Sequence, residues 1–213
     1  AEQLWNQNKI KRKDKSNKLV TRFGIKNDNV IFLNDHFLVE TRKMYNKFQS
    51  IFSFIQELIT RWKITQIVTL TYEGGHPDHD ISALLVTKIK QNMPVNVFFA
   101  PAYNRCNSRW LLKTMVFQPL RSQRHLFVKF YLEKFAWYSS MKVAKIYNSQ
   151  MKTFLILWPF ICFQLIFRQY ILLTSTIDTD TVDWQNSLSH LRYGMRIDNI
   201  LPIIDDIKAG FEK

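Results

Sequence analysis

Gln66-Ile67-Val68-Thr69-Leu70-Thr71, followed directly by Tyr72-Glu73-Gly74-Gly75-His76-Pro77-Asp78-His79-Asp80, is the stretch that decides how this chain is read. The first six residues form a β-branched, apolar run that predicts a strand. Gly74 and Gly75 permit a tight turn and a close backbone approach. Pro77 suits the first position of a helix, and Asp78 and Asp80 suit its N-terminal turn through the helix dipole. That helix is expected to run to about Asn92, with Val95-Asn96-Val97-Phe98-Phe99 as the next strand. Strand, helix and strand at this spacing imply parallel strands joined by a right-handed crossover. In open α/β sheets the carboxyl ends of such strands are where ligands bind. The motif sits at one of those ends.

Upstream, residues 1–22 are charged and free of helix breakers, and they predict an exposed helix ending at Gly24. Val30-Ile31-Phe32-Leu33, closed by Asn34-Asp35, predicts a buried strand. From Tyr45 to Trp62 the apolar positions Phe48, Ile51, Phe52, Ile55, Leu58 and Ile59 recur on one helical face. Downstream, Leu126–Leu132 predicts a strand, Glu133–Tyr147 a helix, and residues 174–190 an ordered loop rich in Thr, Asp and Ser. No internal repeat or low-complexity segment interrupts the 213 residues, and nothing in them marks a second domain.

Composition narrows the function classes. Hydrophobic residues make up 46% of the chain and aromatics 15%, which excludes a disordered chain. The formal charge of +13 raises nucleic acid, anionic membrane and acidic substrate as partners. The excess is spread widely, and its densest run, Lys9 to Lys18, reads first as a solvated helix face. Nucleic acid is accordingly disfavoured. Cys106 and Cys162 give neither a disulfide framework nor a zinc knuckle, which favours a reducing compartment, and a cytoplasmic location is expected. Phe154 to Phe167 reads FLILWPFICFQLIF, fourteen residues. A spanning helix needs roughly 20 apolar residues, so this run predicts a buried helix broken near Pro159. Peripheral membrane contact stays open.

The chemistry concentrates in the motif. His76 and His79 are three residues apart, so at the start of a helix both project to the same side. Two imidazoles beside two carboxylates at a ligand-binding edge suit metal binding and acid–base work. The plainer account is that Pro-Asp punctuates a helix start and a nearby His merely caps it. A catalytic zinc usually takes three protein ligands plus water, so one histidine pair is not a complete site. His125 and His190 read as structural, and Arg168 as a salt-bridge former. Trp110, Trp137, Trp158 and Trp184 read as core residues rather than sugar-stacking platforms.

The run Glu73-Gly74-Gly75-His76-Pro77-Asp78-His79-Asp80 resembles the second signature of the LmbE-like / PIG-L family, which includes N-acetylglucosaminyl-phosphatidylinositol de-N-acetylase. Phe23-Gly24-Ile25 with Val30–Leu33, and Lys142 with Tyr147-Asn148-Ser149-Gln150, resemble further family segments. The likeness extends over roughly residues 1–170. It implies an α/β, Rossmann-like three-layer fold with a mostly parallel sheet, and a zinc-dependent hydrolase that removes an N-acetyl group from an N-acetylglucosamine-type sugar or glycoconjugate. By the same resemblance His79 is the metal ligand. His76 stabilises the tetrahedral intermediate or passes a proton to the departing amine, and Asp78 orients and charge-tunes it. A cationic His76 could offset the developing oxyanion.

One departure bears on all of this. The family's other signature, His-Pro-Asp-Asp-Glu, supplies two more zinc ligands and the general base, and it is nowhere in the sequence. Asn34-Asp35-His36 has the wrong order and follows the wrong strand. The expectation is therefore a single, partial deacetylase domain over residues 1–213, lacking the first strand and its metal-binding motif and inactive alone. A missing central strand should leave an unpaired strand edge and uncovered apolar surface. The alternatives are a catalytically dead sugar-binding module and a basic nucleic-acid or membrane-surface protein.

Overall fold

The charged N-terminal stretch is helical, as its lack of breakers predicts. Helix α1 spans Glu2–Arg22, and Gly24 follows at φ +75°, a left-handed conformation glycine adopts without strain. The structure, a computed structural model, describes residues 2–105, 114–131, 170–180, 182, 187–191, 193 and 195–211. The expected helix Glu133–Tyr147, the run Phe154–Phe167, Arg168 and the four tryptophans named above lie outside them. The chain divides into two units, Ala1–Leu38 with Leu132–Gln169, and Val39–Tyr131 with Tyr170–Lys213.

In the first unit α1 is followed by a 3-10 turn, Asn27–Asn29, and a short helix α2, Leu33–Phe37. The strand expected at Val30–Leu33 is not formed. Val30 to Phe32 is extended but pairs with no strand among the described residues, and Leu33 opens α2 instead. An apolar run becomes a strand only where a neighbour accepts its backbone hydrogen bonds, and local composition does not reveal the neighbour.

The second unit begins with a 3-10 turn, Met44–Lys47, leading into α3, Phe48–Trp62. The apolar stripe read from the sequence is the stripe that packs, because Phe48, Ile51, Phe52, Leu58 and Ile59 are buried. Lys63, at φ +51°, ends the helix and donates its N–H to Ile59 O. Strand β1 spans Gln66–Leu70, α4 spans Pro77–Asn92 and β2 spans Asn96–Ala100. β1 and β2 are parallel and in register from Gln66 beside Asn96 to Leu70 beside Ala100. The βαβ unit expected from the sequence is present.

Beyond it, β3 (Tyr103–Arg105) pairs antiparallel with β4 (Thr114–Val116), and β5 (Val128–Tyr131) pairs antiparallel with β6 (Tyr170–Leu173). Phe99 and Thr174 exchange backbone hydrogen bonds of 2.7 and 3.0 Å, which sets the β5–β6 pair beside β2. Helices α5 (Leu188–Leu191) and α6 (Leu201–Phe211) complete the unit.

Helix α4 is the centre of the core. Ile81, Leu84, Leu85 and Ile89 are fully buried, and burying a side chain of this size is worth about 1.5–3 kcal/mol. Ile200, just before α6, and Ile204 and Ile207 within it are buried as well, and Gln91 Nε2 donates to Ile207 O at 2.8 Å. Val97 and Phe99 point into the same core from β2. The other sheet face differs: Val68 is 64% exposed and Phe130 45% exposed, with the Phe98 ring 6.4 Å from that of Phe130. β1 has no second neighbour among the described residues. The architecture is mixed α/β with a small parallel sheet. Among the described residues no helix is long and apolar enough to cross a membrane.

Candidate functional site

The loop from Thr71 to Gly75 leaves the carboxyl end of β1 and turns into α4. Gly74 lies at φ +66°, and a Cβ on Gly75 would sit 1.9 Å from Tyr103 O, so neither position accommodates a side chain. His76 is the N-cap of α4 and Pro77 the first helical residue. The plain capping account of His76 therefore holds: its Nδ1 accepts the Asp78 N–H at 3.2 Å. Capping also fixes its chemistry. With Nδ1 acting as an acceptor, the neutral ring carries its proton on Nε2, which remains a donor.

The two imidazoles do meet. The His76 and His79 ring centroids are 4.9 Å apart. Tyr193 stands edge-on to His76 at 4.8 Å, and Tyr103 edge-on to His79 at 5.5 Å. The two tyrosine hydroxyls approach to 3.4 Å, so the rings wall the histidine pair. Asp78 Oδ2 accepts the Arg42 backbone N–H at 2.9 Å and lies 4.0 Å from His76 Nδ1.

Burial lowers the pKa of His76; Asp78 opposes that pull and the Arg42 cation adds to it. Burial, then the neighbouring His76, pushes His79 down to about 4. Both rings are neutral at pH 7, the form that can ligate a metal. For His76 desolvation outweighs the single nearby carboxylate, which favours the neutral ring with a donor at Nε2.

The carboxylate of Asp80 does not join the histidines. It turns inward, where Oδ1 accepts the N–H groups of Glu73 at 3.1 Å and Gly74 at 2.9 Å, while Oδ2 accepts Ser189 Oγ–H at 2.6 Å. Glu73 is buried beside it and accepts Ala102 N–H at 2.7 Å and Asn104 Nδ2–H at 3.1 Å. Desolvation raises Asp80 to about 7 and Glu73 to about 8. The sequence placed Asp80 beside the histidines as the second carboxylate of the cluster; its inward turn separates it from them. Glu73 was not legible as a partner of this loop although it belongs to the motif, and Arg42, Tyr103, Ser189 and Tyr193 come from remote segments with no signature of their own.

Three buried side-chain atoms in this loop and the first turn of α4 have no hydrogen-bond partner among the described residues: Thr71 Oγ1, Asp78 Oδ1 and His79 Nδ1. Buried polar atoms are nearly always satisfied, so a group of orphans marks a place for something further. The His79 nitrogen suits a metal donor. The described residues nevertheless contain no group of three His, Cys, Asp or Glu side chains that could hold a metal ion. By themselves they do not fit the usual catalytic zinc site.

His190 is structural, as read: its Nδ1 lies 3.2 Å from Met195 O and its N–H donates to Ser187 Oγ. Comparison of the sequence with protein-family models, with curated proteins and with solved structures found no match in any of the three.

Proposed function

We propose that this chain carries the second half of a zinc-dependent de-N-acetylase site, acting on an N-acetylglucosamine-type sugar or glycoconjugate and built on a Rossmann-like sheet. The observation that supports this most is the orphaned His79 Nδ1 at the carboxyl end of a parallel strand, beside a second neutral imidazole. In this reading His79 is one metal ligand, and the remaining ligands lie outside the described residues. The edge of β1, which has no second neighbour among the described residues, and the exposed Val68 beside it fit a further strand there.

When bound, zinc would polarise the acetamide carbonyl and activate a water. His76 donates its Nε2–H toward the oxyanion that develops at that carbonyl. Asp78 holds the approach of residue 42 and restrains the electrostatics of His76. Glu73 and Asp80 hold the loop backbone in place.

The test combines the chain with a de-N-acetylase segment bearing His-Pro-Asp-Asp-Glu, adds zinc and measures acetate release from an N-acetylglucosamine conjugate. The expected result is release that is lost on adding a chelator and lost in His79→Ala. Release indifferent to both, or none from the assembled mixture, overturns the hydrolase reading. A sugar-binding module without catalysis is the second reading, favoured by the absence of a third ligand among the described residues. Sugar binding that a chelator leaves unchanged would select it.

A further inference from the structure

We propose that Tyr193 is the positioning residue for His76, holding its imidazole in one orientation at the start of α4. The catalytic use of that orientation rests on the reading of His76 as the oxyanion donor; the positioning itself does not. The need for it comes from the ring. Nδ1 accepts the Asp78 N–H at 3.2 Å, the long end of the hydrogen-bond range, and this is the side chain's one hydrogen bond among the described residues. A histidine ring turns broadly about its outer torsion, so a single weak bond leaves the direction of Nε2 loosely set. His79 packs against the ring at 4.9 Å but belongs to the same helical turn. Tyr193 supplies the contact from outside the helix, edge-on at 4.8 Å and 61°.

Tyr193 differs from an ordinary packing neighbour because it is fastened to the same turn from more than one direction. On one side, Ser189 donates its N–H to Gly74 O at 3.0 Å and its hydroxyl to Asp80 Oδ2 at 2.6 Å. Met195 N–H donates to Ser189 O at 3.0 Å, and His190 Nδ1 lies 3.2 Å from Met195 O, so the chain is pinned before and after Tyr193. On the other side, the Arg42 guanidinium carbon stands 4.7 Å from the Tyr193 ring centroid, and Asp78 Oδ2 holds the Arg42 N–H at 2.9 Å. The Tyr193 hydroxyl comes within 3.4 Å of that of Tyr103, whose ring stands edge-on to His79. Each of these supports ends on residues 74–80, the segment that carries both imidazoles. The tyrosine and the His76 ring are therefore held as one body. A donor fixed in advance needs no reorganisation when charge develops beside it.

The experiment follows amide hydrogen exchange by NMR in the intact chain, comparing the wild type with Tyr193→Ala and Tyr193→Phe. The Asp78 amide reports on the His76 side chain that accepts it, and the Asp80 amide reports on the His76 backbone oxygen that it meets at 3.0 Å. We expect Tyr193→Ala to speed exchange at Asp78 about fivefold relative to Asp80, the protection that one weak hydrogen bond provides. Tyr193→Phe keeps the ring edge and should leave that ratio at its wild-type value. Should the alanine variant not fold, Tyr193→Leu fills the space without an aromatic edge and carries the same expectation. An unchanged Asp78 overturns the proposal, as does a phenylalanine variant that behaves like alanine. A rise shared equally by Asp78 and Asp80 also overturns it, because Tyr193 would then merely cover the whole turn. Hydrolysis enters none of these measurements, so their failure leaves the de-N-acetylase reading standing, and a failed acetate-release assay leaves this one standing.

Discussion

The two sides of the β1–α4 turn, from Glu73 to the first turn of α4, make opposite use of neighbouring residues. On the inner side, Asp80 and Glu73 are buried and every oxygen named above has a donor. On the outer side, His79 Nδ1 and Asp78 Oδ1 are also buried, yet they have no partner. Fully satisfied polar groups rigidify a loop, whereas unsatisfied ones cost stability unless something else completes them. The inner side is thus a scaffold finished by the chain itself, and the outer side is a site with unused bonding capacity.

The contrast can be broken most severely at Asp80. Asp80→Ala should strand the N–H groups of Glu73 and Gly74 and the Ser189 hydroxyl, costing about 3 kcal/mol or more in urea unfolding. A cost below about 1 kcal/mol would mean that the loop does not depend on this carboxylate.

A smaller effect, and a sharper one, is expected in the pH dependence. Burial raises Glu73 from 4.5 to about 8, so its protonated form is favoured by folding. Its contribution is complete below pH 4.5 and is lost as the pH rises through about 8. Wild-type stability should therefore fall across that window, and Glu73→Gln should flatten the fall. A residual slope up to about pH 7 belongs to Asp80, which burial also raises. Unchanged pH profiles in the variant would show that Glu73 is ionised in the folded state at neutral pH.

The smallest expected change is at His79. Because Nδ1 has no partner to lose, His79→Ala should alter folding stability by no more than about 1 kcal/mol. A loss comparable with that of Asp80→Ala would place His79 in the scaffold and erase the distinction between the two sides.

Several elements were legible in the linear chain because their causes are local. The amphipathic spacing from Phe48 to Ile59 gives α3, and the β-branched run at Ile67 and Val68 gives β1. Pro77 and Asp78 mark the start of α4, and His76 and His79 meet because they are three residues apart on one helical turn. Val30–Leu33 misled because a strand is a relation between segments, and no partner pairs with it among the described residues.

The sequence by itself determined the βαβ unit around residues 66–100 and the pairing of the two imidazoles at its mouth, since periodicity, turn residues and capping act over a few positions. Only the tertiary structure decided which groups that loop meets. Tyr103, Arg42, Ser189 and Tyr193 reach it from distant points along the chain, and burial among them sets the protonation of His76, His79, Glu73 and Asp80. Desolvation and contact depend on what surrounds a side chain in space, and no short window of sequence contains that.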